Sequence, residues 1–135
     1  MIEKYLNNRF LTLYLIPFFL GSSTVFSYQP FNLTIINFFI LPLFFYLIIY
    51  IKKKSQSTYR KKPYKINLFI FGLTFGYGYY LGGIYWITHS LTFDESFKIL
   101  IPFSLILIPL FLSLFFSLVA VIVGPFLSLN INSIF

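Results

Sequence analysis

Between Phe71 and Phe93 the chain reads FGLTFGYGYYLGGIYWITHSLTF, a membrane-length apolar run in which glycine, aromatic and polar residues are interleaved. Gly72 and Gly76 are four residues apart, as are Gly78 and Gly82. At about 100° per residue, each pair lies along one stripe of a helix, where a second backbone can approach closely. Gly83 adjoins the second stripe. An interior glycine costs a helix about 1 kcal/mol relative to alanine, so this density predicts close helix packing or a local unwinding at Gly82-Gly83. Lipid contact requires neither. Tyr85 and Trp86 follow, with amphipathic rings that suit the headgroup level as an interface anchor; lining a lipid groove is the alternative reading.

The rest of the chain is built in the same way. Of its 135 residues 59% are hydrophobic, with a mean hydropathy of +0.86, which predicts an all-α membrane protein. Apolar runs at about 10–28, 33–51, 66–88 and 99–123 predict four transmembrane helices in a single domain, 1–135. Abundant phenylalanine and tyrosine fit bulky lipid-facing surfaces, although a genome base composition favouring their codons gives the same enrichment. The net charge of +7 lies in segments flanking the runs, which speaks for membrane orientation and against nucleic acid. Lys52, Lys53, Lys54, Arg60, Lys61, Lys62 and Lys65 make segment 52–65 a basic loop without an acid, predicted to be cytoplasmic. Its cations also offer contacts to anionic phospholipid headgroups, each contributing about 1 kcal/mol near the surface. With the amino terminus on the same side, loop 89–98 is predicted to be periplasmic and the carboxyl terminus cytoplasmic.

Within the first run, Gly21-Ser22-Ser23-Thr24 offers no A-x-A cleavage site and the chain stays apolar through Val25-Phe26, so an uncleaved helix kinked at Pro17 is expected. Tyr28-Gln29-Pro30-Phe31-Asn32 is a turn signal leading to a tight hairpin. Asn37 in the second run is read as a hydrogen-bonding partner for a neighbouring helix, with a substrate contact as the alternative reading. Pro102 and Pro109 are seven apart and predict a smooth bend in the fourth helix, which Gly124-Pro125 is expected to stop.

Candidate chemistry is sparse. The chain has no cysteine, which excludes disulfides, thiolate metal sites and a cysteine nucleophile within it. His89, Asp94 and Glu95 form a polar cluster without a ligand repeat, and a solvated loop is the expected reading. Ser22, Ser23, Ser90 and Ser96 have no second histidine to act with His89, and no G-x-S-x-G elbow is present. No catalytic, cofactor or metal residue is assigned.

Two segments carry a family resemblance. Gly82-Gly83-Ile84-Tyr85-Trp86-Ile87 resembles the pattern of glycines and aromatics closing on a tryptophan in the N-terminal membrane domain of apolipoprotein N-acyltransferases. Gly21 to Phe31, GSSTVFSYQPF, is similar to the first helix hairpin of that family. The resemblance implies a multi-pass protein of the bacterial inner membrane, in lipoprotein biosynthesis, where a phospholipid acyl group is transferred to the amino-terminal cysteine of a lipoprotein. It further implies that the Glu–Lys–Cys chemistry belongs to a nitrilase-like domain. This chain is then expected to be a fragment that supplies the membrane scaffold, with the catalytic half as a continued or separate chain. The competing expectation is a stand-alone small four-helix integral membrane protein, a subunit or small transporter with a glycine-mediated helix interface. All Lys and Arg lie outside the predicted spans, which favours the scaffold over a transport pathway.

Overall fold

The computed structural model of the protein describes residues 8–28, 31–57, 63–91 and 99–127, with the side chains of 56–57 and 84–91 excepted. Among the described residues the regular structure is helical throughout: α1 (Leu11–Ser27), α2 (Ile35–Ser57), α3 (Tyr64–Leu91) and α4 (Ile101–Phe126). α2, over Ile35–Ser55, and α4 are long and apolar enough to cross a membrane. α3 has 28 residues, about 42 Å at a rise of 1.5 Å, but its glycines and tyrosines dilute its apolar character.

α1 changes gauge along its length. A wide π-helical turn at Leu11–Leu15 passes into α-helix at Ile16–Ser23 and tightens into a 3-10 turn at Thr24–Ser27. The Ile16 N–H donates to the Leu11 carbonyl, five residues back. In ordinary α-helical geometry the ring of Pro17 would meet the carbonyl four residues earlier, and the wide turn just before it relieves that collision. The following turn is closed by Phe31 and Asn32 N–H groups donating to the Tyr28 carbonyl, with Asn32 in the left-handed region at φ 55°. Asparagine tolerates that conformation better than most residues.

The helices alternate in direction. Arg9 at the start of α1 and Ser55 near the end of α2 both bond to Asn67 in the first turns of α3, while Lys52 of α2 bonds to the last turn of α4. One end of the bundle therefore gathers the beginning of α1, the end of α2, the beginning of α3 and the end of α4. α3 is central and packs against each of the others. Phe44 of α2, Phe71 and Phe75 of α3 and Phe116 of α4 interlock as an aromatic core, with ring centroids 4.5 Å apart for Phe44–Phe75 and 5.1 Å for Phe75–Phe116.

Several boundaries differ from the sequence expectation. α2 continues through Lys52, Lys53 and Lys54 to Ser57, so the first part of segment 52–65 is helix rather than loop. Lysine is a good helix former, and Lys52 has a helix end to bond. α3 runs unbroken through Gly82-Gly83 to Leu91, which places His89 on helix rather than in a loop. Pro102 sits in the first turn of α4, where its missing N–H costs nothing, leaving Pro109 and Pro125 as internal prolines. α4 passes Gly124-Pro125 and ends at Phe126, where Lys52 bonds its terminal carbonyls.

Candidate functional site

The glycines of α3 divide between two neighbours. A Cβ at Gly72 would lie 2.6 Å from the Phe116 carbonyl oxygen and 2.7 Å from Ser117 Cα; one at Gly76 would lie 2.8 Å from Ser113 Cα. Both positions face α4. Gly78 lies against the Phe18 carbonyl and Gly82 against the Val25 side chain, both in α1. Gly83 differs, since a Cβ there meets nothing within 4 Å. The pairing is mutual: Gly21 of α1 abuts the backbone of Phe75 and Tyr79.

α4 presents small residues to this seam. Ser113, Ser117, Ala120 and Gly124 are buried, while Phe111, Phe115 and Ile122 are exposed at 66%, 58% and 60%. Ser113 Oγ donates to the Leu110 carbonyl at 2.6 Å and Ser117 Oγ to the Ser113 carbonyl at 3.3 Å, so these buried hydroxyls are satisfied within their own helix. On α4, large apolar side chains outside and small residues inside reverse the pattern of a helix in a water-soluble bundle.

Polar contacts between helices gather at the two ends of the bundle, with Ser22 Oγ donating to the Gly78 carbonyl at 3.4 Å between them. At the basic end, Arg9 Nη2 donates to Asn67 Oδ1 at 2.9 Å, and Asn67 Nδ2 donates to Ser55 Oγ at 2.8 Å. Asn67 is fully buried, so this chain of bonds satisfies an amide that would otherwise be costly. Lys52 Nζ donates to the Gly124 and Pro125 carbonyls at 3.0 and 3.2 Å. Lys54 Nζ lies 5.8 Å from the centroid of the Tyr50 ring, and Lys53 and Lys65 are exposed. At the opposite end Ser27 Oγ donates to Asn37 Oδ1 at 3.0 Å, joining α1 to α2, and the hydroxyls of Tyr28 and Tyr79 bond to each other.

An open apolar groove of about 340 Å³ runs along α3 with Tyr14 of α1 and Leu110 of α4 at its sides, and Phe69, Leu73, Thr74 and Tyr77 in its wall. The Thr74 hydroxyl donates to the Ile70 carbonyl at 2.6 Å and is so satisfied within α3. Tyr85 and Trp86 lie on the helical part of α3 whose side chains are outside the description, as is that of His89. Arg60, Lys61, Lys62, Asp94 and Glu95 fall outside the described residues. Among the described residues no group of three His, Cys, Asp or Glu could hold a metal ion.

Sequence reasoning did not find the Arg9–Asn67–Ser55 chain or the Lys52 cap, because neither has a local signal. The small face of α4 did have one, in the spacing of Ser113, Ser117, Ala120 and Gly124.

Residues 20–134 match the family model described as apolipoprotein N-acyltransferase N-terminal domain. The chain is similar to an apolipoprotein N-acyltransferase of Sinorhizobium medicae, 29% identical over 109 residues, covering 79% of this chain and 20% of that protein. It is also similar to one from Rhizobium rhizogenes, 34% identical over 55 residues, covering 40% of this chain and 10% of that protein. The matched region thus spans a fifth or less of the length of these curated relatives. No solved structure matches the chain.

Proposed function

Because the chain belongs to the family of the apolipoprotein N-acyltransferase N-terminal domain, we propose that it is the bilayer scaffold of a lipoprotein N-acyltransferase of the bacterial inner membrane. In this reading all four helices span the membrane and both termini are cytoplasmic. The observation that carries it is the reversed pattern of α4: Ser113, Ser117 and Gly124 inside, Phe111, Phe115 and Ile122 outside. The alternating helix directions support the topology, since Arg9, Lys52 and Lys65 then share one end and obey the positive-inside preference.

The chain contains no cysteine, so a thiolate that accepts an acyl group is supplied by another domain or chain. What this part contributes is position: a rigid seam around α3 and lateral faces open to phospholipid.

Paired reporter fusions test the topology. A fusion at Lys61 reads cytoplasmic and one at Asp94 reads periplasmic; the reverse pair overturns the four-span arrangement.

A further inference from the structure

Arg9 bonds α3 at the level where α1 begins, a few residues before the groove residue Tyr14. Tyr14, which lines the groove, is about one wide helical turn from Arg9, and Phe10 between them stacks on Tyr14 with ring centroids 5.3 Å apart. On α3, Asn67, Ile70, Thr74 and Tyr77 recur at the spacing of a single helix stripe. Arg9 holds the first of these four and the groove is lined by the other three.

The guanidinium is fixed but far from used up. Asn67 gives its amide N–H to Ser55, which commits its oxygen to Arg9. That bond occupies a fraction of the five donors of the guanidinium, whose planar fork matches the paired oxygens of a phosphate. The partner of Arg9 among the described residues is a neutral amide, and Asp and Glu are absent from the described residues. A positive charge held in place at the membrane end of an apolar groove is complementary to one kind of molecule. From Asn67 to Tyr77 is ten residues of α3, about 15 Å, which is half of the ~30 Å hydrocarbon core and so the depth of one leaflet.

We propose that the chain holds one anionic phospholipid as a fixed ligand, its phosphate on the Arg9 guanidinium and one acyl chain in the groove of Tyr14, Phe69, Leu73, Tyr77 and Leu110. This rests on the membrane reading above. It differs from general attraction to the basic segment, because Lys53 and Lys65 are exposed and act as diffuse charge, whereas Arg9 is oriented by a buried amide.

The test is native mass spectrometry of the purified chain in neutral detergent, with phosphatidylglycerol or phosphatidylcholine of identical acyl chains. One phosphatidylglycerol is retained, about fivefold more tightly than phosphatidylcholine. Arg9→Gln, which removes the charge and the guanidinium fork, removes that preference; Leu73→Trp, which fills the groove, weakens both lipids; Lys53→Gln and Lys65→Gln change neither. Equal retention of the two lipids overturns the site, as does a loss from either lysine variant as large as that from Arg9→Gln. If Arg9→Gln does not fold, Leu73→Trp decides alone, and unchanged phosphatidylglycerol binding refutes the proposal. Alkaline carbonate extraction separates the two readings: release from membranes refutes the membrane scaffold, whereas a resistant chain that binds both lipids equally refutes the lipid site alone.

Discussion

Lys52 on α2 donates to the carbonyl oxygen of Gly124 on α4 at 3.0 Å and reaches the Pro125 carbonyl at 3.2 Å. The last carbonyls of a helix have no partner within it and carry the negative end of its dipole, so a lysine there supplies both hydrogen bonds and charge. The bond thus caps α4 at Gly124-Pro125, where the helix ends. It also gives one member of the basic segment a structural role distinct from orientation.

Replacing that lysine isolates the cap. Lys52→Met keeps the long stem but removes the donor, and is expected to cost about 1–2 kcal/mol in detergent thermal stability. Hydrogen exchange at the Leu127 amide, which donates to the Val123 carbonyl at 3.1 Å, should quicken in parallel. Exposed Lys53→Met is the control and should change neither measurement.

The glycine seam makes a graded prediction. Gly76→Leu drives a side chain into the backbone at Ser113, 2.8 Å from where its Cβ must sit, and should lose about 1–3 kcal/mol. Phe103→Leu, at a position 60% exposed, should be close to neutral. Gly83→Ala meets open space and should gain about 0.4–1 kcal/mol from reduced chain entropy and better helix propensity. Thermal melts of the three variants in one detergent decide it; if Gly76→Leu melts with or above the Phe103 control, α3 is not the packing centre.

Asn67 joins three helices through two hydrogen bonds. Asn67→Leu strands the partly buried Arg9 and the buried Ser55 hydroxyl, and should cost about 1–3 kcal/mol even though leucine is the stronger helix former. The melting temperature of the purified variant is the measurement, and a variant as stable as the parent would show that the polar chain adds nothing to the seam.

Sequence by itself determined the helical class, the apolar runs and the existence of two glycine stripes on α3. These follow from local facts: apolar length, and a helical repeat that places residues four apart on one side. Family membership was also legible, through Gly82 to Ile87 and Gly21 to Phe31. Tertiary structure decided what each stripe touches, with Gly72 and Gly76 meeting α4, Gly78 and Gly82 meeting α1, and Gly83 meeting neither. It also decided where helices stop. The Gly124-Pro125 pair reads as a terminator, and α4 does end one residue after it, but the partner that bonds its last carbonyls is 72 residues away in sequence. The same holds for Arg9 and Asn67, separated by 58 residues. Periodicity fixes which face of a helix is small or apolar, but the satisfaction of a buried amide or a terminal carbonyl depends on what the packing of other helices brings within 3 Å, and no local pattern encodes that distance.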